Sequence, residues 1–310
     1  MAEILYLDQN AWVSLARGAW DKERYPQDYT RLVKVVEALQ NKRYIVPLSF
    51  ANIYETLKIN DPIRRANMAR TQVTISQGQV FRSRRRILSD LLGAYLADKF
   101  RIAHEPLDDH WFLSDLWFEA VADYSPDTFG LALSSAFLDQ MFSNPAGMLF
   151  DYLTAGDEEV RLEGVRCFSA ASFDLIAEIE ARRAIVAAEG LAFRKRAYGA
   201  RLMIDELDFI LATGQRLGLG WKNVRDIGSS LVRSIPVDVP IFATERELAI
   251  RLEDQERPIV ENDLRDMSAF AITLPLADIV IGEKAFINLA RQAGLGTTFS
   301  TRLLTSIDGL

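Results

Sequence analysis

Apolar residues near the N-terminus alternate between short runs and helical spacings. Residues 4–7 form an apolar run that predicts a buried strand, and residues 11–16 then show helical spacing with Gly18 as its stop. Residues 30–39 predict an amphipathic helix, and the apolar run 44–48 predicts a second strand. The order strand, helix, strand and helix predicts a parallel α/β sheet.

The C-terminal part of the chain returns to this alternation. Residues 237–244 predict a strand, 245–253 a helix, 259–260 a short strand, 264–274 a helix and 279–281 a further strand. Two pieces that are far apart in the sequence would therefore build one sheet.

The middle of the chain is rich in helix formers and has few strand-like runs. Breaks such as the one at residues 125–127 indicate loops. We therefore expect residues 64–235 to form a large all-α insertion. Residues 1–63 and 236–310 would together form one discontinuous α/β domain.

The composition is that of a globular protein, because 310 residues with 49% hydrophobic content can fill a core. The single cysteine, Cys167, excludes an internal disulfide framework and favours a reducing compartment, and we expect it to be a buried, unreactive thiol. The N-terminus lacks the basic region of a signal peptide, and no segment has the roughly 18 apolar residues that span a bilayer. We therefore expect a cytoplasmic protein without membrane contact.

Charge and histidine content restrict the partner and the mechanism. A net charge of −7 is not that of a general polyanion binder, so contact with nucleic acid would need a local basic patch. The histidines His104 and His110 are too few for a three-histidine zinc site. Glycine-rich phosphate loops are absent, which removes the main support for a nucleotide cofactor.

Acidic residues stand at strand ends and at the starts of facing helices in both predicted α/β pieces. They are Asp8 after the first strand, Glu55 on the helix that follows the N-cap Ser49, Asp263 and Asp266 on one face of a later helix, and Asp278 and Glu283 on either side of the last strand. Each has an ordinary structural explanation: Asp8 and Asp263 suit helix caps, and Glu55 suits a solvated helix surface. Carboxylates that gather at one sheet edge repel each other and take up protons unless a cation compensates their charge. We therefore expect a Mg²⁺ or Mn²⁺ site, since these ions prefer oxygen ligands.

Four segments resemble the PIN-like nuclease superfamily: LDQNAW, PLSFANIYE, NDLRDMSAF and LPLADIVIGEKAF. The resemblance covers residues 1–60 and 236–310. It implies a Rossmann-like parallel sheet between helices, and hydrolysis of RNA, less often of DNA, by acidic residues that hold Mg²⁺ or Mn²⁺. It assigns those roles to Asp8, Glu55 and Asp266.

The fourth acid of the family usually follows the last strand in a short threonine-aspartate step. This chain has Gly282-Glu283 there and an additional Asp278 before the strand, so both acids stand as candidates. Asp263 belongs to the motif in a supporting position. Asn10 and Asn262 would hydrogen-bond the carboxylates or metal-bound waters.

A basic stretch in the expected insertion suits phosphate contacts. Its arginines are Arg82, Arg84, Arg85 and Arg86. The alternative is a helical face whose arginines pair with acids elsewhere in the fold. The aromatic residues at 110–112 and 117–118 are more typical of a core or a subunit contact than of base stacking, so a homo-oligomer or a protein partner would use this insertion.

Together these features predict a metal-dependent endonuclease with RNA as its favoured substrate, and a role as a bacterial toxin or in phage defence fits the resemblance. Two alternatives stay open. A structure-specific DNA nuclease would use the same metal site. A non-catalytic PIN-like scaffold would bind RNA or a protein without cleavage, and the glutamate at position 283 makes it worth testing.

Overall fold

A computed structural model describes residues 2–122, 133–186 and 188–310, so the loop expected at residues 125–127 lies outside the described residues. The described strands are β1 (Glu3–Leu7), β2 (Tyr44–Ile45), β3 (Val80–Phe81), β4 (Leu113–Ser114), β5 (Ile279–Ile281) and β6 (Arg302–Leu304). The described helices are α1 (Gln9–Trp20), α2 (Pro26–Gln40), α3 (Phe50–Leu57), α4 (Pro62–Ser76), α5 (Arg84–Phe100), α6 (Ser135–Ser143), α7 (Pro145–Thr154), α8 (Glu158–Val186), α9 (Leu191–Asp205), α10 (Leu207–Arg216), α11 (Val224–Ile227), α12 (Ser229–Asp238), α13 (Pro240–Glu253), α14 (Glu261–Leu276), α15 (Lys284–Gln292) and α16 (Leu295–Phe299). Short 3-10 helices cover Trp117–Ala120 and Ile307–Gly309.

The chain divides into two compact units. Unit 1 comprises Met1–Ser83, Phe112–Ser172 and Leu276–Leu310, and unit 2 comprises Arg84–Trp111 and Phe173–Pro275. Unit 1 contains the strands, whereas the described elements of unit 2 are helices. These bounds follow spatial contacts and are not those drawn from composition at residues 63 and 236.

The main sheet of unit 1 has four parallel strands in the order β2-β1-β5-β6. This confirms the predicted α/β class with a parallel sheet among helices. Strand β1 is central, and its Leu7 lies in register with Ile281 of β5. The apolar side chains of β1 are buried, as expected for a strand inside a parallel sheet. Because parallel strands end at the same edge, the residues that follow Leu7 and Ile281 are neighbours.

The prediction that Gly18 ends the first helix is wrong, because α1 continues to Trp20. Gly18 instead permits close packing of α1 on α2. A Cβ atom at position 18 would lie 2.5 Å from the backbone of Asp28, which is far inside van der Waals contact. A close helix approach therefore explains this glycine.

The prediction of a strand at residues 237–244 is also wrong. Helices α12 and α13 occupy this region, and Pro240 is the first residue of α13, a position that needs no backbone N–H. The buried residues Ile235, Val239 and Phe242 follow helical spacing, although the local sequence also alternates. Residues 259–260 form no strand either: the backbone N–H of Ile259 donates to Glu180 Oε1 at 2.9 Å.

The absence of membrane-spanning helices and the burial of the single cysteine were both predicted from composition. Among the described helices, none is both long and apolar enough to cross a bilayer. Cys167, expected to be buried, is exposed on α8, and its thiol donates to Glu163 Oε1 at 3.5 Å.

Candidate metal centre

Asp8 connects the end of β1 to the start of α1. Its Oδ1 accepts a hydrogen bond from the Ala11 N–H at 2.9 Å, so the side chain is the N-cap of α1. Its own N–H donates to the Ile281 carbonyl at 2.9 Å, which ties Asp8 to the carboxyl end of β5. The residue is only 7% exposed. The N-cap explanation is therefore correct, and it leaves Asp8 at the sheet edge where a ligand would bind.

Glu283 reaches the same edge from β5. It occupies the N-cap position of α15, but its side chain makes no capping hydrogen bond. Instead, Glu283 Oε1 accepts a hydrogen bond of 2.6 Å from Asn10 Nδ2, which belongs to the first turn of α1. Asn10 thus holds one carboxylate of the edge in position, as expected of a supporting residue.

Asp8 and Glu283 line one pocket of unit 1, with a volume of about 420 Å³. Further polar residues of its wall are Ser14, Arg31, Lys284, Thr305 and Ser306. The sequence analysis missed these residues. Lys284 could have been predicted, because it follows Glu283 directly in the quoted segment LPLADIVIGEKAF. Arg31 and residues 305–306 are far away in the sequence, and only the fold brings them to the pocket.

Burial raises the pKa of Asp8 to about 6, against the lowering effect of the Ala11 hydrogen bond, and the negative charge of Glu283 raises it further. Within the part of the chain that the structure describes, neither acid has a lysine or arginine within ion-pair distance. The two acids therefore lie near each other without an ion pair of their own, and a cation bound between them would compensate their charge.

Arg31 cannot supply that compensation, because it is already held by two other acids. Its Nε and Nη2 donate to the two carboxylate oxygens of Asp308 at 2.9 and 2.6 Å, and its Nη1 donates to Asp28 Oδ1 at 2.8 Å. The Arg31 hydrogen bonds hold the pKa of Asp308 at about 2. Lys284, in contrast, forms no ion pair with any described residue.

Asp278 lies at the amino ends of the strands, opposite to the carboxyl ends where Asp8 lies. Its Oδ2 accepts a hydrogen bond of 2.7 Å from the Ile4 N–H, near the amino end of β1. Because Leu5 pairs with Ile279 and Leu7 with Ile281, the strands separate Asp278 from Asp8. Of the two candidates for the fourth acid, the fold brings Glu283 to Asp8 and does not bring Asp278.

Glu55 lies on α3, half-buried, one helical turn after Asn52. The start of α3 is fixed to the end of β1, since Asn52 Nδ2 donates to the Leu7 carbonyl at 3.2 Å. Ser49 caps the helix together with Asn52 in a capping box. Glu55 therefore lies one helical turn from the residue that anchors α3 to the end of β1. It is not among the residues that line the pocket.

Asp263 and Asp266 belong to unit 2, on α14. Asp263 accepts two hydrogen bonds from Arg257, at 2.6 and 2.7 Å, and a third from the Val260 N–H at 2.9 Å. This acid is therefore ion-paired and stabilises the start of its helix, as its structural explanation predicts. Asp266 accepts a hydrogen bond from Asn262 Nδ2 at 3.4 Å, so the expected support from Asn262 is present.

The arginines of the basic stretch pair with acids of the fold. Arg82 lies 3.6 Å from Glu119, Arg84 contacts both Glu206 and Glu245, Arg85 lies 2.8 Å from Glu206, and Arg86 lies 2.7 Å from Asp90. The structure thus agrees with the alternative of a paired helical face. A phosphate would have to compete with these carboxylates.

Among the described residues, no three histidine, cysteine, aspartate or glutamate side chains come together as ligands of a metal. Two carboxylates are nevertheless a set that Mg²⁺ commonly accepts, because water and substrate phosphate complete its six oxygen ligands. Comparisons with protein families, with curated proteins and with solved structures find no match for this chain.

Proposed function

We propose that this chain is a PIN-like nuclease that hydrolyses phosphodiester bonds with the help of Mg²⁺ or Mn²⁺, with RNA as its favoured substrate. One observation carries the proposal. Asp8 and Glu283, from two neighbouring parallel strands, line one pocket at the carboxyl edge of the sheet, without an ion pair to any described residue. The four parallel strands among helices are compatible with a PIN-like fold, and the four quoted segments support it.

The two acids are the residues that would hold the metal ion. Bound there, the ion would lower the pKa of a coordinated water and neutralise charge on the phosphate. Asn10 keeps Glu283 oriented toward the pocket, and the Ala11 N–H does the same for Asp8. With a pKa of about 6, Asp8 is largely ionised at pH 7.5 and protonated well below pH 6. Below pH 6 protons therefore compete with the metal ion for this carboxylate, and activity at a subsaturating Mg²⁺ concentration should fall as the pH drops.

The remaining pocket residues suit a phosphate ester. Lys284 is a cation without a carboxylate partner among the described residues, and Ser14, Thr305 and Ser306 carry hydroxyl groups. Ammonium and hydroxyl groups are common donors to phosphate oxygens. Carboxylates for a metal beside donors for a phosphate are the combination that metal-assisted phosphodiester hydrolysis requires.

A non-catalytic scaffold is the second candidate function. The observation that favours it is the absence, within the described ranges, of a third acid grouped with the pair. Such a scaffold would bind RNA through the same pocket and leave it intact. Both a nuclease and a scaffold would bind RNA, so cleavage of RNA is the measurement that distinguishes them.

The test uses labelled single-stranded RNA and DNA of the same sequence, with Mg²⁺, Mn²⁺ or EDTA. Wild-type protein is compared with Asp8→Asn and Glu283→Gln. Asp278→Asn is the matched control, because it removes the same charge at the opposite edge and retains an acceptor for the Ile4 N–H. Cleavage that needs the metal and both pocket acids, but not Asp278, would support the nuclease. Metal-dependent RNA binding without cleavage by folded protein would support the scaffold.

A further inference from the structure

Unit 2 contains its own cavity, with a volume of about 400 Å³. Residues of α8, α9, α13 and α14 form most of its lining, together with Arg84 at the start of α5. Cavities that bind small molecules measure about 300–1,000 Å³. The proposed nuclease chemistry uses none of these residues, so the cavity raises a separate question.

One side of the cavity is apolar. Ile179, Leu202, Leu252 and Leu264 line it and are each at most 8% exposed, and Met267 adds a flexible thioether. These side chains come from four different helices. A hydrocarbon or aromatic body of a ligand would be buried against this wall.

The polar side of the cavity contains two arginines that are already neutralised. Arg84 donates from Nε and Nη2 to Glu245, and from Nη1 to Glu206. Arg182 donates from both Nε and Nη2 to the same oxygen of Glu253, Oε1. The other oxygen of Glu253, Oε2, receives no hydrogen bond from Arg182. The Glu253 side chain is only 5% exposed, so this acceptor is held in the wall of the cavity.

Tyr198 adds a second polar group to the same lining. Its ring lies 5.2 Å from the guanidinium carbon of Arg182. Tyr198 is half-buried, and within the described residues its hydroxyl has no hydrogen-bond partner. Burial raises the pKa of Tyr198 well above its ordinary range, so the hydroxyl stays protonated and neutral. The hydroxyl is therefore available to a ligand in the cavity.

The charge of the lining is negative. It contains five acids (Glu178, Asp205, Glu206, Glu245 and Glu253) and three arginines (Arg84, Arg182 and Arg201). Arg85, which is outside the lining, pairs with Glu206 and compensates one further acid. An excess of one negative charge remains, and it disfavours an anionic ligand.

We propose that this cavity binds a small organic cation with an apolar body, such as a monoamine. Its ammonium group would donate to Glu253 Oε2 and to the Tyr198 hydroxyl oxygen. Its hydrocarbon part would lie against Ile179, Leu202 and Leu264. The proposal does not depend on nuclease activity, since none of its residues belongs to the Asp8 pocket.

Isothermal titration calorimetry of the full chain tests the ligand class. The probes are 4-phenylbutylamine and two molecules of the same shape, neutral 4-phenylbutan-1-ol and anionic 4-phenylbutanoate. We expect the amine to bind roughly tenfold or more tightly than the alcohol, because a hydrogen bond to a charged group is the stronger one. We expect no binding of the carboxylate. Equal binding of amine and alcohol, tighter binding of the carboxylate, or no binding of any probe would overturn the proposal.

Two variants test the location. Glu253→Gln keeps an oxygen for Arg182 but removes the charge, and should weaken amine binding about tenfold or more. Tyr198→Phe removes only the hydroxyl and should weaken it by a factor of roughly 2–10. Glu256→Gln is the matched control, because it removes the same charge from an exposed position three residues away and should leave binding unchanged. Unfolding curves establish that each variant is folded. Wild-type affinity in both Glu253→Gln and Tyr198→Phe would place the amine elsewhere and refute the site.

Discussion

The buried acids of unit 2 and those of the Asp8 pocket in unit 1 have different partners. In unit 2, Glu245, Glu253 and Asp263 are each bound by an arginine. In the Asp8 pocket, Asp8 accepts a hydrogen bond from a backbone N–H and Glu283 accepts one from the Asn10 amide, and no arginine or lysine among the described residues pairs with either acid. An acid that a guanidinium neutralises needs no further cation. The uncompensated pair is therefore the better candidate for a metal site.

This difference also concerns stability. Keeping an uncompensated carboxylate out of water disfavours its charged form, and the raised pKa of Asp8 expresses that cost. Groups with perturbed pKa values concentrate at functional sites, where stability is given up for chemistry. Substitution of acids in the two regions should consequently have opposite effects on the stability of the fold.

The largest expected effect is on catalysis by the Asp8 pocket. Asp8→Asn and Glu283→Gln should each lower RNA cleavage by at least about a hundredfold, since loss of even an outer partner of a metal ligand commonly costs 10–100-fold. Initial rates with labelled RNA in Mg²⁺ measure the effect. Asp263→Asn, the same substitution on an arginine-paired acid, should lower the rate much less. Equal losses in all three variants would remove the distinction between paired and uncompensated acids.

The next effect is on the stability of the metal-free protein. Asp8→Asn should raise the free energy of unfolding at pH 7.5 by about 2 kcal/mol. The rise of the Asp8 pKa from 3.8 to about 6 corresponds to about 3 kcal/mol, at about 1.4 kcal/mol per unit. Loss of the favourable contact between the carboxylate and the start of α1 offsets part of this gain. Asparagine is as good an N-cap as aspartate, so Ala11 keeps its acceptor. Urea unfolding in EDTA measures the change.

The pH dependence of this gain has a definite sign. The folded protein keeps the Asp8 proton up to a pH of about 6, whereas the unfolded chain releases it near 3.8. Wild-type stability therefore falls relative to Asp8→Asn as the pH rises from 3.8 to 6, and the difference stays constant above 6. A variant that is less stable than wild type at pH 7.5, or a difference that does not change with pH, would show that burial does not raise the pKa of Asp8.

In unit 2 the sign should reverse. Asp263→Ala removes the partner of Arg257 and the acceptor of the Val260 N–H, and should lower the free energy of unfolding by about 1–3 kcal/mol. Arg257 is partly exposed, with 43% of its side chain accessible, so water compensates part of the loss. Urea unfolding of Asp263→Ala beside the Arg257→Ala variant and the double variant measures the coupling. No coupling between the two positions would mean that Asp263 is not held by Arg257.

The sequence predicted two of the buried strands and missed three short ones. The apolar runs at residues 4–7 and 279–281 have few alternatives to a buried strand, and both are confirmed. Strands β3, β4 and β6 were missed because two or three residues are too few to show a pattern, and β3 and β4 lie within residues 64–235, which were expected to be all α-helical. At residues 237–244 the alternation of apolar residues also fits a helix, and Pro240 decides between the two.

The candidate site was predicted in part for a similar reason. Asp8 follows a strand directly, so its position at the sheet edge is a local property of the sequence. Whether Asp278 or Glu283 joins it follows from the direction of β5, which is parallel to β1 and brings the residues after its C-terminal end to Asp8. The pairing of Asp263 with Arg257, and of Arg84 with Glu245, depends on contacts that side-chain type alone does not reveal.

The smallest predicted effect tests whether the free cation of the Asp8 pocket contacts the substrate. Lys284→Ala should raise KM for RNA several-fold with little change in kcat, because a phosphate contact is made equally in the ground state and the transition state. In the Asp8→Asn background, where cleavage is stopped, the slope of log binding constant against log salt should decrease by about 0.7 for one lost phosphate contact. Lys284→Arg should retain the slope, and Lys99→Ala, which removes a lysine already paired with Asp238, should not change it. A slope unaffected by Lys284→Ala would mean that RNA, if bound, does not reach this side of the pocket, and the acids Asp8 and Glu283 would then have to act on a substrate held by other groups.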